Sequence, residues 1–163
     1  MEETQTIKNL TLPSWEEIPD QGIYMTDLIK FLDEILSPLY IEERTISPSM
    51  VNNYVKYSYI KGPINRRYYR ESLAQIIAIG FFKQVLSIDE ITRGLRIEVD
   101  TFSLSEVYNN FVEIFKLTRD AVFNEDDKIN INIRLKNQHD KIVYLLTLSI
   151  MTKLYTKITL NNR

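Results

Sequence analysis

Four polar residues, Ser49, Asn52, Asn53 and Lys56, recur at intervals of three and four. At that spacing their side chains would share one face of a helix. Asn is a poor residue for a helix interior, so two in succession indicate a role other than helix stability. An Asn amide can pair with the edge of adenine in duplex DNA, and Lys can reach phosphate or guanine. The face is therefore a candidate for DNA recognition, and the alternative is a solvated face whose Asn pair is incidental.

The residues around this face predict the helix that would carry it. Ser47 precedes Pro48, and this pair is typical of a helix start, since Ser caps a free N–H and Pro at the first helical position loses no hydrogen bond. The apolar side of the same helix, which we expect to run from Pro48 to Ser58, would carry Met50, Val51, Tyr54, Val55 and Tyr57. The polar face would then point outward.

Three basic residues, Lys61, Arg66 and Arg67, follow that helix. The turn-forming residues Gly62-Pro63 and Asn65 lie between two short β-prone pieces, so we expect a small β-hairpin that carries the three charges. Basic residues on such a wing would contact phosphates, which gives affinity and register without sequence information. The alternative is an ordinary exposed loop.

Helices are also predicted on both sides of this region. Thr26-Asp27 would cap a first helix that runs through Leu36, and a long connection over residues 39–46 would follow it. From Arg70 a wide apolar stripe predicts a core helix, in which Gly80 indicates close packing between helices. Ser87 would cap a short helix to Ile91, after which Arg93-Gly94 would loosen the chain.

The last third of the chain predicts a pair of helices. Ser103 and Glu106 have the spacing of a capping box for a helix through about Phe123, and a last helix is expected from about Gln138 to Leu160. Residues 129–135 alternate like a strand, but we expect an extended loop or an early start of the last helix. The apolar arc of the last helix is broad, so it would be either buried within the monomer or part of a dimer interface; we expect a symmetric dimer.

Four aromatic residues near the first helix of this pair allow a further hypothesis, that the protein binds an effector. Tyr108, Phe111, Phe115 and Phe123 lie at helical spacing, where they could line a pocket for an effector, whose identity the sequence does not give, or form plain core.

The run from Ile46 to Ile60, followed by Arg66-Arg67-Tyr68 and Leu73-Ala74, resembles the DNA-binding domain of the mercury-resistance-regulator (MerR) class. The resemblance implies a winged helix-turn-helix in which Tyr54 takes the place of a recognition-helix tyrosine and Arg66 and Arg67 are the wing arginines. The chain departs from the pattern at Asn52, where that class commonly has arginine, and in its short wing.

Other motifs resemble an uncharacterised bacterial family known as domain of unknown function 1836 (DUF1836). They are Leu12–Pro19, Ile23–Met25, Met50–Lys56 and Phe82–Ile88. The resemblance covers roughly residues 10 to 95 and continues more weakly to the C-terminus. It implies no activity, because the family has none established.

Charge and composition limit the possible functions. The net charge is −2, but residues 1–46 carry 3 basic and 10 acidic residues, whereas residues 47–93 carry 7 basic and 3 acidic. Local potential rather than total charge steers a polyanion, so the positive excess on the candidate face favours DNA. The chain has no Cys and a single His, His139, and it shows no phosphate-binding Gly loop and no nucleophile with its base. We therefore expect no enzyme activity, no metal and no cofactor.

Taken together, the patterns predict an all-α fold: a MerR-like winged helix-turn-helix with a small β-hairpin wing, followed by a C-terminal helical pair. The expected organisation is an N-terminal arm packing on the core (1–22), in which residues 1 to about 11 would be mobile, the winged helix-turn-helix (23–97) and a helical region (98–163). The expected function is a dimeric regulator in the cytoplasm that binds double-stranded DNA and no membrane. The alternative is a protein-interaction adaptor that kept the scaffold and does not bind DNA.

The DNA contacts expected on these grounds are Ser49, Asn52, Asn53, Tyr54, Lys56, Lys61, Arg66 and Arg67.

Overall fold

The computed structural model describes residues 2–40, 46–124, 128–129 and 133–161. Within these ranges the helices are α1 (Glu2–Asn9), α2 (Met25–Leu36), α3 (Pro48–Lys56), α4 (Arg70–Phe82), α5 (Ile88–Val99), α6 (Leu104–Val122) and α7 (Gln138–Asn161). Two short strands, β1 (Ile23–Tyr24) and β2 (Arg67–Tyr68), pair in antiparallel fashion. The fold is therefore mainly helical, as the sequence predicts. No helix in the described ranges combines the length and hydropathy that a bilayer span requires.

Helix α4 lies at the centre of the core. Its buried residues occur all around the helix rather than on one stripe, which is typical of a helix covered on every side. It packs against α2, α5, α6 and α7, and α6 and α7 form the most extensive helix pair in the described part of the chain. The predicted C-terminal helical pair thus completes the same core to which α4 belongs.

The N-terminal region is more ordered than predicted. The expectation that residues 1 to about 11 are mobile is wrong for residues 2–9, which form α1 with Ile7 only 1 % exposed. Leu12 and Ile18 are also buried. The backbone N–H of Trp15 donates to Asn109 Oδ1 at 2.8 Å, and its ring lies 6.3 Å from that of Tyr108. The N-terminal residues therefore belong to the core on the α6 side.

The predicted helix starts are confirmed where a side chain caps the helix. The Met50 N–H donates to Ser47 Oγ at 3.3 Å, and Ser103 and Glu106 form a reciprocal capping box. The cap predicted at Thr26-Asp27 is wrong, because α2 begins at Met25 behind Tyr24 and no side chain caps it. Gly94 does not loosen the chain either, since α5 continues through it to Val99.

The β structure differs from the predicted hairpin, because β2 pairs mainly with β1, a strand far away in the sequence. A two-residue turn closes at Ile64 and Arg67, which bond through both backbone groups at 3.0 and 2.9 Å. The strand that follows pairs with β1, which precedes α2, in the register Ile23↔Tyr68 and Tyr24↔Arg67. The sequence did not predict this long-range pairing, because two-residue strands carry no periodicity.

Gly80 is the position at which α4 approaches its neighbours most closely. A Cβ at this residue would lie 2.5 Å from Leu36 Cδ1 and 3.3 Å from Ile46 Cδ1, and the hydroxyl of Tyr40 donates to its carbonyl. Leu36 and Ile46 are both buried, so neither can move into solvent. The close helix packing expected at Gly80 is thereby confirmed.

We predict that Gly80→Ala lowers the free energy of unfolding by about 1 to 3 kcal/mol, because the added methyl overpacks a filled contact. Gly94→Ala is the matched control, since a Cβ there meets nothing within 4 Å. It should raise stability by about 0.5 to 1 kcal/mol through helix propensity. Urea unfolding followed by circular dichroism measures both changes, and equal stability of the two variants would contradict the packing argument.

Candidate nucleic-acid interface

The polar face of α3 points outward. Ser49, Asn52, Asn53 and Lys56 are all exposed, whereas Val51 and Tyr54 on the opposite side are buried. The amides of Asn52 and Asn53 form no hydrogen bond within the described part of the chain, so their donors and acceptors are open to a ligand. The structure therefore presents these four side chains together, as the spacing predicts.

Tyr54 lies apart from that face. Its side chain is 8 % exposed, and burial raises the pKa of its hydroxyl. Helical periodicity placed Tyr54 on the apolar side of α3, and only the resemblance to the MerR class placed it among the DNA contacts. Its expected role as a DNA contact is therefore not compatible with its position in the core.

The segment after α3 turns back onto the helix. Ser58 adopts a positive φ of 57°, and the Tyr59 N–H donates to the Tyr54 carbonyl at 2.8 Å. Gly62 then lies against Val55, since a Cβ at Gly62 would be 3.2 Å from Val55 Cγ1. These contacts hold the start of the basic segment beside the C-terminal end of α3.

The Arg67 side chain forms hydrogen bonds with other residues of the chain. Its Nη1 donates to the Gly22 carbonyl and its Nη2 to the Tyr24 hydroxyl, both at 3.2 Å, and its guanidinium lies 4.5 Å from the centre of the Tyr24 ring. Gly22 itself has a φ of 73°. Arg67 therefore fixes β2 to the turn before α2, a role that sequence reasoning missed because Gly22 and Tyr24 are more than 40 residues away.

Lys61 is exposed but is paired with a carboxylate. Its ammonium bonds to Glu71, and its side chain is 73 % exposed. The hydroxyl of Ser72 donates to the Lys61 carbonyl at 3.0 Å, which ties this backbone to the start of α4. An exposed ion pair is weak, so Lys61 remains available, but Glu71 offsets its charge.

Arg66 differs from the other two basic residues. It is exposed and forms no ion pair with any described residue. Asn65 and Arg66 have φ values of 50° and 65°, which makes this a turn whose two central positions are both left-handed. Gly is favoured at the second of these positions, and a residue with a Cβ costs about 1 to 2 kcal/mol there. Arg66 is thus a free cation at a position where local stability favours Gly.

Apolar side chains are exposed in the same region, and sequence reasoning did not assign them to a site. Ile64 is 63 % exposed and Tyr57 is 58 % exposed. The Tyr57 ring lies 6.0 Å from that of Tyr59, and the Tyr59 hydroxyl donates to Asp89 at 2.6 Å. The surface therefore combines amides and cations with exposed apolar groups.

The described residues contain no group of three or more His, Cys, Asp or Glu side chains that could hold a metal ion.

We predict opposite effects for the two arginines. Arg67→Ala should destabilise the protein by about 1 to 2 kcal/mol, because it removes two hydrogen bonds and the contact with Tyr24. Arg66→Gly should stabilise it by about 0.5 to 1 kcal/mol, because relief of the left-handed strain exceeds the greater backbone entropy of unfolded Gly. Denaturant unfolding measures both values. Loss of stability in Arg66→Gly would show that the Arg66 side chain has a structural role.

A known family matches the part of the chain that contains this candidate interface. The family model Domain of unknown function (DUF1836) matches residues 13–111, which include α2 to α5, both strands and the first part of α6. No match was found among curated proteins or among solved structures. The resemblance to DUF1836 noted in the sequence is confirmed. Because the family model covers more than half of the chain, the protein belongs to the DUF1836 family.

Proposed function

We propose that this protein binds duplex DNA through a MerR-like winged helix-turn-helix. In this proposal α2 is the first helix, α3 is the recognition helix and the turn from Ile64 to Arg67 is the tip of the wing. The observation that carries it is the exposed face of α3, where two adjacent Asn amides have no partner in the described part of the chain. Amides that stabilise neither the helix nor a tertiary contact are suited to bidentate pairing with adenine.

The order and pairing of the elements support the proposal. Strand β1 leads directly into α2, and β2 follows the turn that carries Arg66, so pairing of the two strands joins the wing to the start of the first helix. The contacts of Arg67 with Gly22 and Tyr24 reinforce this connection. A wing attached in this way would meet a duplex in a fixed orientation relative to α3.

The basic residues differ in the roles that we assign to them. We assign phosphate contacts to Lys56 and Arg66, with Lys61 as a weaker contact because Glu71 accompanies it. Arg67 positions the wing instead of binding phosphate. Two strong phosphate contacts give little affinity alone, so a functional unit requires two reading heads.

We propose a symmetric dimer as the source of the second head, with reading helices about 34 Å apart on a palindromic site. Leu145 and Leu160 of α7 support this proposal, because they are 51 % and 64 % exposed although both are aliphatic. A DNA-binding role also implies the cytoplasm, which the absence of Cys suits.

A second candidate function is an adaptor that binds another protein with the same surface. The observation that favours it is the exposure of Ile64 and Tyr57 beside the polar face. Aromatic and aliphatic side chains are enriched at the centres of protein interfaces, whereas DNA contacts are mainly polar. Binding to DNA distinguishes the two functions directly.

The first experiment selects bound fragments from a random duplex library and then measures their retention in gels at several salt concentrations. Arg66→Ala should weaken binding to selected and random duplexes alike, and it should reduce the slope of log K against log salt by about one. Lys116→Ala is the matched control, since it removes one exposed charge on α6. If wild-type protein retains no duplex even at low salt, the DNA proposal is wrong and the adaptor is favoured.

The second experiment concerns base recognition. Asn53→Ala should weaken binding to the selected sequence by about 1 to 3 kcal/mol and leave binding to random duplex unchanged, because an amide reads a base edge and not the backbone. Asn161→Ala, at the exposed end of α7, is the control and should change neither affinity. An equal loss on both duplexes would contradict base recognition by Asn53.

A further inference from the structure

A cavity of about 230 Å³ lies between α4, α5, α6 and α7. Apolar side chains from all four helices line it, among them Phe82, Ile91, Phe111 and Val143. Its size follows from small residues on two facing helices: Ala74 and Ala78 are one turn apart on α4, and Gly94 of α5 presents no side chain.

Gln75, one of the residues that line the cavity, carries a buried polar atom. The side-chain oxygen of Gln75 is buried and accepts no hydrogen bond within the described part of the chain. Buried polar atoms are nearly always hydrogen-bonded, so an unpaired amide oxygen in a residue that lines an apolar cavity points to a ligand that completes the bond. The oxygen and the nitrogen of a side-chain amide exchange places when the group rotates by half a turn. A hydroxyl group can pair with either atom, because it both donates and accepts a hydrogen bond.

The rim of the cavity limits the charge of its ligand. Ser87 donates hydrogen bonds to the Glu90 carboxylate from its N–H and its hydroxyl, both at 2.8 Å, and these bonds lower the pKa of Glu90. Glu90 therefore stays anionic at neutral pH, which disfavours a carboxylate or phosphate ligand at the rim. Ile97 and Ile142, each 50 % exposed, give an apolar entrance.

We propose that this cavity binds a small, uncharged and mainly apolar molecule that carries one hydroxyl group, such as a phenol or a medium-chain alcohol. An apolar cavity of about 150 Å³ is large enough for benzene, so 230 Å³ accommodates one substituted ring. The hydroxyl group pairs with the Gln75 amide, and the apolar body contacts Ala74, Ala78 and Phe111. This inference does not depend on the proposed DNA binding.

The test uses the full chain with methyl groups labelled for NMR and two probes of similar shape, p-cresol and toluene. Both should shift the methyl signals of Ala74, Ala78 and Ile91 saturably, and p-cresol should bind about tenfold more tightly, because it satisfies the amide. Gln75→Leu should bring the ratio of the two affinities close to one. Gln21→Leu, an exposed Gln outside the cavity, is the matched control and should keep the tenfold preference.

A second variant separates loss of binding from loss of folding. Ala78→Phe should fill the cavity and abolish binding of both probes without lowering the midpoint of thermal unfolding, because the ring occupies space that is already open. The proposal is overturned if neither probe shifts these signals at millimolar concentration, or if the shifts lie elsewhere. It is also overturned if Gln75→Leu retains the preference for p-cresol, or if the lining methyl groups are buried in a dimer that excludes both probes.

Discussion

The contact between α4 and α2 at Gly80 is the constraint on which the other elements depend. Because no side chain separates the two helices there, Leu36 and Ile46 can pack directly against the backbone of α4. The N-terminal end of α4 follows β2, and its other sides are covered by α5, α6 and α7. The same buried helix therefore orients β2 at one end and forms a wall of the apolar cavity along its length.

The candidate interface was predictable where local chemistry determines it. A Ser-Pro start and the spacing of the polar residues fix both the first residue of α3 and its outward face, because capping and periodicity act within one or two turns. Periodicity also predicted that Tyr54 lies on the buried side of α3, whereas the resemblance to the MerR class placed it among the DNA contacts. Periodicity reports the environment of a side chain in this protein, whereas resemblance transfers a role from another one.

The missed features depend on partners far away in the chain. The sequence around Arg67 does not indicate its contacts with Gly22 and Tyr24, and the pairing of β1 with β2 has no local signal. The polar sequence of α1 likewise hid Ile7, because one buried residue in eight gives a helix little amphipathic pattern. Tertiary contacts decided all three cases, and local propensity did not.

The position of Gln75 relates the cavity to the proposed interface. Besides lining the cavity, Gln75 borders a second depression whose wall includes Ser58, Ile60 and Lys61, which belong to the segment between α3 and β2. A molecule hydrogen-bonded to this amide would therefore lie one side chain away from the segment between α3 and β2. Such a ligand can change DNA affinity only if it binds two arrangements of that segment unequally.

The family match covers the candidate interface but only part of the cavity. The matched residues 13–111 contain the whole candidate interface and Gln75, but they end before α7, which supplies Val143 and Leu146 to the cavity. The candidate interface therefore lies entirely within the region that defines the family. Closure of the cavity depends on a helix outside that region, so the choice of ligand can differ between members that share the surface.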